Sequence, residues 1–239
     1  MTKVMLNNKT FLTAISDSFD EFLSSGTSRS TAKLKPLHGA IAKDIADRLG
    51  NDYQIFSQGY GTDKESTICG RYMDKSVDIT ITKNGEAVAG IGVKFVMQNY
   101  SQNSNNYFEN MLGETANIRS AKRPYFQIFI ILDKLPYYNK ETKITRWETF
   151  TDHNVSKYVS LSQDDINTFF HTPNKTLIYV VHIPDNDELT TSEEYLNFYK
   201  NHNYELQLSP HQYADFGSAV ILNDYETFIN KVYYTILAI

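Results

Sequence analysis

The side chains with the clearest potential for chemistry are Asp78, Lys94, Glu109 and Glu114. Asp78 and Lys94 are expected on two neighbouring strands, and both glutamates are expected on the helix that follows them. A cluster of carboxylates with one lysine at a sheet edge is typical of metal-assisted phosphodiester cleavage, in which oxygen ligands hold a divalent cation. The sequence therefore contains a candidate hydrolytic site between residues 75 and 117.

A predicted β-hairpin must bring Asp78 and Lys94 together. Apolar and polar residues alternate from 77 to 82, which is typical of a half-buried strand. Asn84-Gly85 marks the turn, and the second strand is expected to run from Glu86 to Val96.

The length of the hairpin loop decides which side chains share a face. A two-residue loop places Asp78 and Lys94 on opposite faces, whereas a three-residue loop beginning at Lys83, with Gly85 in a left-handed bulge, places them on the same face. We predict the three-residue loop, since it also gathers the apolar side chains of both strands on the other face. These side chains are Val77, Ile79, Ile81, Ile91, Val93 and Phe95.

The other periodicities predict an α/β architecture. Helices are expected at 9–24, 29–49, 106–121, 154–160, 163–170, 192–202 and 224–237, and further strands at 53–57, 125–132 and 176–183. Residues 97–106 are expected to form an amide-rich loop, and residues 135–153 a less regular segment. Apolar strands that alternate with helices favour a central mixed sheet flanked by helices.

The order helix, three strands, helix, strand, with Asp78 on the second strand and Lys94 on the third, resembles the PD-(D/E)XK nuclease superfamily, and within it the type II restriction endonucleases. The resemblance covers about residues 30–135. Two positions depart from the family pattern: Val77 replaces the Pro before the Asp, and Gly92 replaces the acid two residues before the Lys.

Some type II restriction enzymes take the missing strand acid from the following helix, which implies Glu109 or Glu114 in this chain. Glu109 is preferred because its distance along the chain from Lys94 is closer to that precedent. The resemblance implies that Asp78 and one of these glutamates bind Mg²⁺, and Glu65 is a candidate for an additional ligand. It also implies that Lys94 orients or deprotonates the attacking water.

The amide-rich segment is a candidate for DNA recognition, because Asn and Gln bind adenine edges in the major groove. Its members are Gln98, Asn99, Gln102, Asn103, Asn105 and Asn106. Arg119 and Lys122, together with Arg123, are candidates for phosphate contacts. The alternatives are a connector that caps the helix and cations that complement the helix dipole.

The resemblance implies a restriction-endonuclease-like fold and a Mg²⁺-dependent type II restriction endonuclease that cleaves double-stranded DNA at a short specific sequence. A homodimer is expected, since symmetric sites are read by symmetric dimers. The alternatives are a repair or junction-resolving nuclease of the same fold and a non-catalytic DNA-binding protein with a decayed site. In the simplest alternative, Asp78 and Lys94 form an ordinary cross-strand ion pair, and the glutamates are solvated.

Composition sets the remaining bounds. The 239 residues fit a single domain, with a nuclease core at about 30–135 and residues 136–239 completing the sheet and adding specificity or dimer elements. A net charge of −5 argues mildly against a nucleic-acid partner, but metal-binding carboxylates lower the charge without touching a DNA-facing surface. The sequence shows no signal peptide or membrane-spanning segment, so we expect a cytoplasmic microbial protein without a membrane partner.

Overall fold

The computed structural model describes residues 5–25, 32–184 and 186–239. Its helices are α1 (Asn8–Ser25), α2 (Lys35–Leu49), α3 (Tyr100–Arg119), α4 (Asp152–Ser162), α5 (Ser192–Asn201) and α6 (Tyr225–Leu237). Its strands are β1 (Tyr53–Ser57), β2 (Ser66–Cys69), β3 (Asp74–Val77), β4 (Ile79–Lys83), β5 (Glu86–Val96), β6 (Tyr125–Leu132), β7 (Lys134–Tyr138), β8 (Ile144–Thr149), β9 (Lys175–His182), β10 (Gln207–Leu208) and β11 (Val220–Leu222).

A seven-stranded mixed sheet forms the centre of the molecule. Its order is β1-β4-β5-β6-β9-β10, and β11 pairs with β9 as well. The β1–β4 and β4–β5 pairs are antiparallel, whereas β5–β6 and β6–β9 are parallel. The mixed sheet flanked by helices is therefore confirmed. Two small hairpins, β2–β3 and β7–β8, lie outside this sheet.

Helices cover the sheet on both faces. Phe126 of β6 packs against Phe228 of α6, whereas Phe129 of the same strand packs against Tyr100 of α3 and Tyr158 of α4. Odd and even residues of a strand point to opposite faces, so α6 and α3–α4 lie on opposite sides. All eight residues of β6 are buried for this reason.

The β4–β5 hairpin differs from the predicted one in an instructive way. Lys83 pairs with Glu86, so the turn is the two-residue Asn84-Gly85 loop, and the three-residue loop is wrong. A bulge between Ile81 and Thr82 then shifts the register, so that Thr80 pairs with Gly90. Because a one-residue shift reverses the faces, the bulge places Ile79 opposite Ile91, on the face away from Lys94. Asp78, the residue before β4, lines the same cavity as Lys94, as predicted.

Val77 does not share a face with Ile79, contrary to the sequence-based expectation. The chain leaves strand conformation at Asp78, between β3 and β4, so the alternation does not continue through this residue. The Val77 side chain joins a second small apolar cluster with Ile68, Ile118 and Tyr125. The other five side chains expected on the apolar face do lie in the main core.

Helix α3 begins at Tyr100, so most of the expected 97–106 loop is helical. Tyr100 is 2% exposed and packs edge-on against Phe150, and this burial outweighs the weak helix propensity of the asparagines that follow. Asn99, with φ of 51°, precedes the helix and exchanges hydrogen bonds with the backbone of Tyr138. The amide-rich residues therefore lie mainly on the first turns of a helix.

The remaining differences are the β2–β3 hairpin, which was not predicted, several segment boundaries and parts of the second half of the chain. Residues 135–153 contain the β7–β8 hairpin, and residues 163–170 form turns where a helix was expected. In place of the expected helix 29–49, the structure has a 3₁₀ turn at Ala32–Leu34 that leads into α2. Residues 29–31 lie outside the described residues. The expected helices 9–24, 192–202 and 224–237 and the expected strands 53–57, 125–132 and 176–183 are confirmed. Among the described residues, no helix has the length and apolar character needed to cross a bilayer.

Candidate active site

A cavity of about 380 Å³ lies on the α3 side of the sheet, where β5 and β6 approach that helix. Asp78, Lys94 and Glu114 all line it. Three of the residues that the sequence singled out for chemistry therefore share one cavity, although they come from the residue before β4, from β5 and from the second half of α3. The other polar lining residues include Lys33, Asn110 and Gln127.

The surroundings of Asp78 shift the pKa of its carboxyl group. Its Oδ2 accepts a hydrogen bond of 2.7 Å from the backbone N–H of Val93, which ties it to β5. Burial, together with the negative charge of Glu114, raises the pKa of Asp78 to about 6, against the opposing effects of the Val93 hydrogen bond, Lys94 and Lys75. A cation bound near a carboxylate in these surroundings would stabilise its charged form.

Glu114 is anchored from two sides. The ammonium group of Lys75 on β3 lies 2.7 Å from Oε1, and the hydroxyl of Tyr125 on β6 donates to Oε2 at 3.3 Å. Glu109 is exposed to solvent and does not line the cavity, and its charge acts on Lys157 of α4. Of the two helix glutamates, the structure brings Glu114 to Asp78, although the sequence favoured Glu109.

Lys94 lies in the same cavity, with its ammonium group 4.4 Å from the centre of the Tyr107 ring. Burial lowers the pKa of Lys94, and the charges of Asp78 and Glu114 partly oppose that change. A lysine with a lowered pKa exchanges its proton more readily near neutral pH than an ordinary lysine does.

The space beside Gly92 is occupied by polar groups from the neighbouring strand. A Cβ atom at Gly92 would lie 2.7 Å from the hydroxyl of Tyr125 and 2.7 Å from Nε2 of Gln127. Gln127, which is opposite Gly92 in the parallel pair, is 7% exposed. Tyr125 and Gln127 were not identified from the sequence, although Gln127 could have been, because it is the one amide in an otherwise apolar buried strand.

The donor set of this cavity suits a hard cation. Asp78, Glu114 and the amide oxygen of Gln127 are oxygen donors, and Mg²⁺ is commonly held by one or two carboxylates while it keeps several waters. Across the part of the chain that the structure describes, no group of three or more His, Cys, Asp and Glu is arranged to hold a metal ion. Glu65 accepts a hydrogen bond from Gln58 and lies outside the cavity lining, so it does not complete such a group.

The amide residues form a neighbouring pocket. A second cavity of about 380 Å³ shares Lys33, Lys94, Phe95 and Tyr107 with the first one and continues toward the start of α3. Four of the predicted DNA-contacting amides line it: Gln98, Asn99, Gln102 and Asn103. Asn105 and Asn106 are exposed on α3 and lie outside this lining.

The predicted phosphate contact of Arg119 does not fit its position. Arg119 is 8% exposed, and its guanidinium donates to the backbone carbonyls of Ile166, Phe169 and Thr172. These bonds hold the turns that replace the expected 163–170 helix. Lys122, in contrast, is exposed just after α3, with φ of 61°.

Comparisons with protein-family models, with curated proteins and with solved structures found no match for this chain.

Proposed function

We propose that the protein is a Mg²⁺-dependent DNA endonuclease, and more specifically a type II restriction endonuclease. The observation that carries this proposal is the common cavity of Asp78, Lys94 and Glu114. Two carboxylates that repel each other beside a partly desolvated lysine are costly for folding, and such arrangements are concentrated at functional sites.

In this proposal Asp78 and Glu114 would bind the metal, with Gln127 as a neutral oxygen donor. A bound divalent cation would supply positive charge to the scissile phosphate and make a nearby water more acidic. Asp78 must be ionised to act as a ligand, and Lys75 and Tyr125 hold the carboxylate of Glu114 in place.

Lys94 would act on the phosphate and on the attacking water. Its ammonium form would offset the negative charge that develops on the phosphate oxygens and orient the attacking water; alternatively, its neutral form, which the lowered pKa favours, would accept a proton from that water. The ring of Tyr107 restricts the position of the ammonium group in the cavity.

The sheet supports the same proposal. Helix α2, strands β1, β4 and β5, helix α3 and strand β6 follow the order of the PD-(D/E)XK core, and the acid precedes the second of these strands while the lysine lies on the third. The amide-lined cavity that adjoins Lys94 offers hydrogen-bonding groups beside the proposed reacting phosphate. Double-stranded DNA is the proposed substrate, a homodimer the proposed assembly and the microbial cytoplasm the proposed location.

One observation favours a second candidate, a DNA-binding protein without catalysis. Glu114 already has an ion-pair partner in Lys75, and the described residues contain no three-carboxylate group. In that case the carboxylates and lysines would be the remnant of a site, and DNA would be bound and not cut.

A cleavage assay separates the two candidates. Purified full-length protein is incubated with supercoiled plasmid DNA in Mg²⁺ and, in parallel, in EDTA. The nuclease proposal expects nicked, linear or discretely fragmented DNA with Mg²⁺ alone. Intact plasmid under a wide range of Mg²⁺ and Mn²⁺ concentrations, with retarded migration from binding, would support the non-catalytic candidate.

A further inference from the structure

The β2–β3 hairpin carries an unusual amount of exposed apolar surface at its tip. Tyr72 is 74% exposed and Met73 is 66% exposed. The guanidinium of Arg71 lies 5.8 Å from the centre of the Tyr72 ring. Large apolar side chains grouped at an exposed tip, next to a cation, are typical of a contact surface.

The backbone of this tip is fixed in place by one side chain of α3. Asn117 accepts hydrogen bonds from the backbone N–H groups of Tyr72 (2.9 Å) and Met73 (3.3 Å) and donates to the carbonyl of Met73 at 2.8 Å. Gly70 allows the close approach, since a Cβ atom there would lie 2.1 Å from Nδ2 of Asn117. The exposed side chains are therefore presented by an ordered tip, which reduces the entropy cost of binding.

The same hairpin contacts the candidate active site. Ile68 and Val77 pack with Tyr125, and the ammonium group of Lys75 binds Glu114. Glu114 and Asn117 are three residues apart on α3, which corresponds to a rise of about 4.5 Å. A ligand that reaches the tip while a phosphate occupies the cavity would have to extend along this side of α3.

The side chains around the tip favour one class of ligand. Arg71 is exposed at the tip, and Lys122 is exposed after α3. The exposed carboxylate of Asp74, at the start of β3, is hydrogen-bonded to the Cys69 thiol opposite it and raises the pKa of that thiol, an effect that the positive charge of Arg123 partly opposes. The outward face of the hairpin presents the short polar side chains of Thr67 and Ser76. An exposed arginine beside an aromatic ring, with short hydroxyls along the hairpin and the Asp74 carboxylate bonded to Cys69, suits a phosphate backbone and base edges better than an apolar protein surface.

We propose that the 70–73 tip is the groove-contacting element of this protein, with Tyr72 and Met73 against base edges and Arg71 on the phosphate backbone of duplex DNA. The inference rests on the proposed nuclease function. It extends that function because it assigns DNA recognition to the β2–β3 hairpin, which lies outside the amide-rich segment. A two-stranded β-hairpin matches the width of the major groove. Lys75 then links the DNA-contacting hairpin to Glu114 in the cavity.

The test compares exposed side chains at the tip with one elsewhere on the surface. Full-length wild type, an Arg71→Ala/Tyr72→Ala double variant and a control Tyr234→Ala variant are titrated into a fluorescein-labelled random-sequence duplex of about 30 bp, roughly three helical turns, without Mg²⁺. Binding is followed by anisotropy at two salt concentrations. Tyr234 is a suitable control because it is 66% exposed but lies on α6. Plasmid cleavage with Mg²⁺ and sedimentation are measured on the same proteins.

The proposal expects the double variant to bind about tenfold more weakly with a smaller salt dependence, and the control to match wild type. Wild-type affinity in the double variant, in a protein that cuts plasmid, would overturn the hairpin assignment and leave the nuclease proposal standing. A change in oligomeric state without a change in DNA binding would overturn it in favour of a protein interface. A wild-type protein that neither binds nor cuts DNA would overturn both proposals.

Discussion

Two carboxylates, Asp44 and Asp78, are each removed from much of the surrounding water, but their surroundings differ. Asp44 on α2 is 2% exposed and accepts hydrogen bonds from the backbone N–H of Leu6, the guanidinium of Arg48 and the hydroxyl of Tyr225. Asp78 accepts one hydrogen bond from within the described residues, from Val93. Its burial and the charge of Glu114 together outweigh the opposing effects of that bond, Lys94 and Lys75 on its pKa.

The difference separates a structural carboxylate from a functional candidate. A buried charge with a full set of donors and a cation is stable where it lies, because each partner replaces a lost water. A carboxylate with few donors and a like charge nearby is favoured by folding only in its protonated form. The cation proposed to bind in the cavity would stabilise the charged form of Asp78.

The largest expected effect is on catalysis. Asp78→Asn and Lys94→Ala should each lower plasmid cleavage by about a thousandfold or more, because each removes charge at the proposed reacting phosphate. The matched control is Asp47→Asn, which removes a carboxylate from the surface pair with Lys43. Removal of one charge-stabilising group normally lowers the rate by more than about tenfold. If either site variant cuts within about tenfold of the wild-type rate, that residue does not belong to the catalytic machinery.

The next effect is on stability and concerns Asp44. Asp44→Ala should lower the free energy of unfolding by about 3–5 kcal/mol, because it leaves the Arg48 guanidinium and the Tyr225 hydroxyl buried without their partner. Urea denaturation followed by circular dichroism measures this change. Asp47→Ala on the same helix should lose less than about 1 kcal/mol, since its pair with Lys43 is solvated. Equal losses in the two variants would contradict the distinction between satisfied and solvated carboxylates.

A smaller effect separates the two glutamates of α3. Glu114→Gln should raise the Mg²⁺ concentration needed for half-maximal cleavage by about 10- to 100-fold. Mutations of metal ligands, or of the residues that hydrogen-bond to them, commonly weaken metal binding by this factor. Glu109→Gln should leave it unchanged, since Glu109 lies outside the cavity lining. The reverse outcome would restore Glu109, the residue that the sequence favoured.

The sequence carried enough information for the strands of the sheet core but not for their register. The apolar run of β6 and the alternation of β4 are local signals, and both strands were predicted. The bulge that pairs Ile79 with Ile91 lies within Ala87-Val88-Ala89, where nothing in the residue types marks it. Asp78 and Lys94 therefore lie in one cavity, as predicted, but the predicted three-residue loop does not bring them there.

The site was predictable only in part because its membership depends on tertiary packing. The choice between Glu109 and Glu114 follows from how α3 lies against β6, which the spacing along one helix does not determine. Gln127 was visible as a polar residue in an apolar strand, whereas the role of Arg119 in holding the 166–172 turns has no local signal. Long-range backbone contacts of this kind are set by the fold as a whole.

The smallest expected effect is again on stability, with a sign opposite to that of the Asp44 variant. Asp78→Asn should raise the free energy of unfolding near neutral pH by about 1–3 kcal/mol, because the variant removes a carboxylate whose charged form is destabilised in the folded protein. The substituted amide carries no charge, and its oxygen can still accept the hydrogen bond that the Val93 N–H donates to Asp78. Activity and stability should thus move in opposite directions at this position.

The pH dependence identifies the cause. The pKa of Asp78 is about 6 in the folded protein, whereas its ordinary value, which applies to the unfolded chain, is 3.8. Between these values the folded state binds more protons, so wild-type stability falls as pH rises from about 4 to about 6, and the loss is complete above that range. The stability advantage of Asp78→Asn should therefore shrink by about 1–2 kcal/mol between roughly pH 7.5 and pH 5. Urea denaturation of both proteins at the two pH values, in EDTA, measures it; an advantage that is independent of pH would show that Asp78 is not held in an unfavourable charged state.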